Sequence, residues 1–238
     1  MHTATADMAP ADTATPTSRR WMHRERCDRR TMDAADGPFR ILVVCTGNVC
    51  RSPQAERFLR AGAEAMGAGA DIEVSSAGLA ALVGEPMTPQ AAREAALRGV
   101  DPEGHVARQL GAEMLAEVDL VLTMDLAHRA DVVRMAPRLS AQVFTLPEFA
   151  RLAEEVAVEG AQIEGDRPAS IAGRMRAVLP CIAARRGFTA PSEIGIEEIG
   201  DPYGADDTVY AKSATAVHAA TSRLLAALVT LLEPTEAS

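Results

Sequence analysis

Aromatic side chains are scarce: Phe, Trp and Tyr make up 3% of the 238 residues. A core must therefore be filled by Ala, Leu and Val, and a hydrophobic fraction of 47% leaves enough of them for one sizeable core. Cysteine is sparse too. Four residues, Cys27, Cys45, Cys50 and Cys181, do not suggest a disulfide scaffold. No uninterrupted apolar stretch approaches the roughly 20 residues that span a bilayer. Thr3 to Arg30 is polar throughout and lacks the apolar stretch of a secretory signal. These shortages predict a cytoplasmic protein with no membrane as partner.

Positive charge is also in short supply over most of the chain. The net charge is −9, yet residues 1–40 hold seven Arg against six acidic residues, and residues 41–238 hold 17 basic against 27 acidic. An acidic body of this kind argues against nucleic acid as a partner. Residues 1–37 read as a disordered arm, first Ala, Thr, Pro and Asp, then six Arg between Arg19 and Arg30. A domain is expected over 38–238.

The informative stretch is Cys45-Thr46-Gly47-Asn48-Val49-Cys50-Arg51-Ser52-Pro53. Before it, Ile41 to Val44 has the length and branching of a buried strand; after it, Gln54 to Met66 has apolar residues at helical spacing. Ser52 is a suitable N-cap, Pro53 fits the first helical position, and Glu56 falls in the first turn. Strand, Gly-containing loop and helix N-terminus together make an anion site, because inward-turned amides and the helix dipole both favour negative charge. Arg51 adds a planar fork suited to two phosphate oxygens. A helix N-terminus and a guanidinium favour the thiolate form of a cysteine, and a thiolate under a bound phosphate is a nucleophile aimed at phosphorus.

Further strands are expected at 72–75, 119–124 and 142–145, with helices over 89–97, 126–135, from Pro147 onward, over 171–186 and over 208–232. Strands alternating with helices imply parallel pairing and right-handed crossovers, hence an α/β fold with a small open four-stranded parallel sheet and helices on both faces. Ligands bind such sheets at the carboxyl ends of the strands, where Cys45 falls. From 154 to 198 the pattern loosens into an insert, which reads as a lid, a partner surface or a tolerated addition.

The CTGNVCRSP run and the order of parts resemble the low-molecular-weight protein tyrosine phosphatases over roughly residues 39–235. The resemblance implies that family's flavodoxin-like three-layer sandwich and hydrolysis of phosphotyrosine through a phosphocysteine, without metal or cofactor. It makes Cys45 the nucleophile, Arg51 the phosphate clamp and Asp201, in Asp201-Pro202-Tyr203-Gly204, the general acid and base. Thr46, Gly47, Asn48, Val49, Cys50, Ser52 and Tyr203 would surround the phosphate and substrate. Asn48, Ser52 and Ser76 would hold the loop in shape, with Ser52 also donating to the sulfur. His105 would be a structural histidine, and Asp125 either an acidic residue near the pocket or a helix N-cap. Cys50 would be placed to form a reversible protective disulfide with Cys45. The partner implied is a phosphotyrosine protein, tyrosine kinases among such substrates, met by a monomer or weak dimer.

Two departures stand out. Where many members place an aromatic wall, this chain has Leu79, Ala80, Ala81, Leu82 and Val83, leaving Tyr203 to supply a ring. The insert before Asp201 is longer than a compact member needs. Three other readings compete. A protein arginine phosphatase of the same fold carries Thr where this chain has Val49. A thiol-coupled arsenate reductase needs two resolving cysteines, and only Cys181 follows Cys50. A non-catalytic phosphate-binding module would lack one of Cys45, Arg51 and Asp201, all of which are present.

Overall fold

A computed structural model of the chain describes residues 37–160, 168–188 and 197–233. The arm over 1–37 thus lies outside the described residues except for Gly37. Four strands, β1 (Phe39–Cys45), β2 (Ile72–Gly78), β3 (Leu120–Thr123) and β4 (Val143–Thr145), form one parallel sheet in the order β2-β1-β3-β4. The chain leaves β1 for one edge, then returns to β1's other side for β3 and β4. The strand order therefore reverses beside β1, where open α/β sheets bind their ligands.

Strand β1 is buried on both faces and its side chains alternate between them. Ile41, Val43 and Cys45 join one apolar cluster, with residues of α1 (Arg51–Ala65), α5 (Leu146–Glu159), α6 (Ile171–Ala184) and α7 (Asp207–Leu232). Leu42 and Val44 join a second, with residues of α3 (Ala112–Ala116) and α4 (Leu126–Met135). The sandwich has helices on both faces, as the alternation of elements predicts. The short α2 (Pro89–Leu97), capped by Thr88, closes a third cluster containing Val49, Cys50 and Tyr210.

Several sequence expectations are corrected. Helix α1 begins at Arg51 with Cys50 as its cap residue, so Ser52 is not the N-cap and Glu56 lies past the first turn. Pro53 remains harmless because it still lies among the first four residues, whose amides have no helical partner. Regular structure persists to Glu159 rather than loosening at 154, supported by a capping box between Thr145 and Glu148. Helix α3, only five residues long, was not anticipated. Helix α7 is long enough, and over 18 residues apolar enough at a mean hydropathy of 1.4, to cross a membrane by length and composition. Here it is a core helix: Val217, Leu224, Leu228 and Leu231 are buried in the cluster that includes α1 and α5.

Helix α6 of the insert lies away from Cys45. Arg176 of α6 pairs with Asp119, just before β3, and donates to the carbonyls of Gly37 and Pro38, just before β1. Those contacts set α6 at the amino ends of the strands, opposite Cys45. The guanidinium of Arg186, just beyond α6, lies 3.8 Å from the Phe144 ring centroid and pairs with the buried Glu148.

Candidate active site

The loop from Cys45 to Arg51 is held almost entirely through its carbonyls. Those of Cys45, Thr46 and Gly47 accept from the amides of Leu79, Ala80 and Leu82, each at 3.0 Å. That of Asn48 accepts from His105 Nε2 at 2.6 Å, that of Val49 from Thr88 N at 2.9 Å, and that of Cys50 from Gln54 N at 3.4 Å. A trans peptide points its C=O and the following N–H in opposite directions. Six carbonyls turned outward therefore turn the amides of residues 46–51 inward, into the nest that the Gly-containing loop predicts. Gly78 permits this lacing, since a Cβ there would stand 2.5 Å from the Thr46 carbonyl oxygen.

Asn48 is the one described non-glycine residue with positive φ, at 56°, a conformation Asn tolerates better than most residues. Its side chain organises the back of the loop. Nδ2 donates to Ser52 Oγ and Ser76 Oγ, both at 2.9 Å, and Oδ1 accepts from Arg108 N at 2.8 Å. Ser76 gives its hydrogen to the buried Glu56 carboxylate at 2.6 Å. Ser52 Oγ accepts from Asn48, so its own hydrogen is available to Cys45 Sγ, 3.0 Å away. With Ser52 donating, the sulfur is the acceptor, the role a nucleophile needs.

Arg51 is buried at 2% exposure, and its Nε has no hydrogen-bond partner. Nη1 donates to the Ile199 carbonyl at 3.0 Å and lies 3.5 Å from Asp125; Nη2 pairs with Asp201 at 2.7 Å. Asp125 is also the N-cap of α4. Asp201 is half exposed, and its Oδ1 accepts from Tyr203 N, an Asx turn that aims Oδ2 at Arg51. Residues 197–200 anchor this loop through Ile199 N to Met124 O and Ser213 Oγ to Gly200 O.

These groups line a cavity of about 120 Å³ bounded by Cys45, Thr46, Gly47, Val49, Cys50, Arg51, Ala80, Leu82, Asp201 and Tyr203. Asn48, Ser52, Ser76 and His105 stand behind the loop rather than in the cavity, and Asp125 reaches it through Arg51. The missing aromatic wall is replaced by Ala80 and Leu82, with Tyr203 as the ring. Burial pushes the Cys50 thiol up, against bonds to Thr88 and Tyr210, so Cys50 is a protonated thiol. Burial likewise lowers the pKa of His105; the Asn48 carbonyl, which can only accept, opposes this and fixes the hydrogen on Nε2. Among the described residues no three His, Cys, Asp or Glu side chains gather as metal ligands would.

The sequence reading missed Glu56, Tyr210 and His128. Glu56 was placed on a helix but not in the loop's network. His128 is buried with Nε2 2.8 Å from Thr46 Oγ1; the only signal for it was Asp-x-x-His at the start of a helix.

The model of the low molecular weight phosphotyrosine protein phosphatase family matches residues 40–168, more than half of the chain, and the chain belongs to that family. It is 44% identical over 104 residues to the low molecular weight protein-tyrosine-phosphatase Wzb of Salmonella typhi, a match spanning 44% of this chain and 66% of that one, just under two thirds. Among solved structures it is similar to the Erwinia amylovora tyrosine phosphatase amsI, at 26% identity and a TM-score of 0.56, over 79% of this chain and 91% of that one. The YwlE arginine phosphatase from Geobacillus stearothermophilus superposes at 25% identity and a TM-score of 0.57, over 81% and 94%.

Proposed function

We propose that the chain is a cytoplasmic protein-tyrosine phosphatase that works through a phosphocysteine on Cys45. The observation that carries this is the pairing of six outward carbonyls with a buried, unpartnered Arg51 Nε beside Cys45. Inward amides and Nε supply donors where the equatorial oxygens of a transferring phosphoryl group would lie. Sγ attacks phosphorus as the P–O bond to the leaving group breaks, and the acid form of Asp201 gives that oxygen its proton. In the second half, water attacks phosphorus, its proton passes to Asp201 and the S–P bond breaks. Arg51 must exchange the Asp201 carboxylate for phosphate when substrate enters, which frees Asp201 for proton transfer.

The substrate proposed is a phosphotyrosine protein, tyrosine kinases among them. Tyr203, Leu82 and Ala80 give a mouth apolar enough for a ring. Val49 places an isopropyl group in the cavity, where the resemblance gives an arginine phosphatase a hydroxyl. Matched phosphotyrosine and phosphoarginine peptides test this. A higher kcat/KM on phosphotyrosine is expected; a higher value on phosphoarginine would reverse the assignment.

A further inference from the structure

A chain of polar contacts joins the two ends of the phosphate loop on its α4 side. His128 Nε2 lies 2.8 Å from Oγ1 of Thr46, the residue after the nucleophile. Its Nδ1 lies 2.8 Å from Asp125 Oδ2, which is itself 3.5 Å from Arg51 Nη1. The second oxygen of Asp125 accepts from the His128 amide at 2.7 Å, so the same carboxylate caps α4. A carboxylate only accepts, so the hydrogen of the neutral ring belongs on Nδ1, beside Asp125, and Nε2 accepts from the Thr46 hydroxyl. Nδ1 is at ion-pair distance from Oδ2 but makes no well-aligned hydrogen bond to it.

We propose that His128 is a positioning residue for phosphate: a strut that fixes Thr46 and holds Asp125 against Arg51, so that the guanidinium presents Nε to the anion. The proposal rests on the phosphatase reading of Cys45 and Arg51. A buried histidine that only filled space would need no partner on the loop. A plain N-cap would need only Asp125 and the His128 amide. The ring instead contacts Thr46 at one loop end and, through Asp125, is linked to Arg51 at the other. The charged groups around it are Asp125 and Asp131 from α4, Arg51 from α1 and Asp201 from the acid loop. Burial lowers its pKa, with Asp125 opposing. Protonation adds a hydrogen at Nε2, so the ring then donates to Thr46 and the Thr46 hydroxyl hydrogen must turn away.

Vanadate affinity, measured by calorimetry across pH, reads the strut without turnover. His128→Gln and Thr46→Val are each expected to weaken binding by about tenfold, the scale of one lost supporting hydrogen bond. The double variant should be little worse than either, and the acid step in the wild-type profile should be smaller in His128→Gln. Thr46 is exposed, so Thr46→Val tests the strut even if His128→Gln fails to fold. Wild-type affinity in folded Thr46→Val, or losses that multiply in the double variant, would overturn the proposal. Failure of the phosphatase reading shows separately, as wild-type protein that binds vanadate yet does not hydrolyse p-nitrophenyl phosphate.

Discussion

At the scale of single residues, Asn48 shows how much one side chain can carry. It supplies the left-handed backbone, two donors to serines and one acceptor for Arg108. Asn48→Ala leaves two buried hydroxyls and an amide short of a partner in a conformation Ala dislikes. It should lower unfolding stability by about 2–4 kcal/mol by urea titration. Arg51→Lys keeps the charge but not the fork. It should lower kcat/KM on an aryl phosphate by at least ~100-fold, with the fold intact by circular dichroism. Cys45 and Arg51 stood out because loop chemistry demands those residue types at those places, whereas Asn48 was singled out only through the family resemblance. Ser52 was misread as a cap because a serine before proline has the composition of one. Its hydroxyl lies against the sulfur, a contact the family resemblance implied but no local rule reveals. His128 was illegible for the same reason: its partner Thr46 is 82 positions away.

At the scale of elements, periodicity located the strands and most helices to within a few residues. The helix start at Arg51 escaped because an N-terminal turn can begin in a loop whose bonds are made elsewhere. Gly78 is the hinge of the lacing between the β2–α2 loop and the phosphate loop. Gly78→Ala drives a Cβ into the Thr46 carbonyl, which is backbone and cannot swing aside. It should cost both activity and stability, read as a drop in kcat/KM together with a lowered melting temperature. The insert behaves differently. Arg186→Ala strips the buried Glu148 of its counter-ion far from Cys45. It should destabilise the fold by about 2–4 kcal/mol while leaving kcat/KM near wild type. The sequence could flag this insert but could not say which end of the sheet α6 covers, because its anchors are long-range ion pairs.

At the scale of the whole molecule, the parallel sheet with the site at its carboxyl ends follows from alternation of strands and helices, whereas the strand order came from the structure. The family resemblance named the same fold. Two buried histidines give the molecule a pH signature. Burial lowers the pKa of His105 and of His128 below the ordinary 6.5. As pH falls, the unfolded chain binds these protons first, so their contribution is complete above 6.5 and lost below it. The urea midpoint should fall between pH 7 and pH 5.5, and His105→Gln should show a shallower fall from a lower starting point.

The most direct measurement is p-nitrophenyl phosphate hydrolysis, with EDTA present, by wild type, Cys45→Ser and Asp201→Ala. Turnover by wild type, none by Cys45→Ser and a loss of about 10²-fold or more in Asp201→Ala on a poor leaving group are expected. Inert wild type that still binds phosphate, or Cys45→Ser that retains turnover, would contradict the phosphocysteine mechanism.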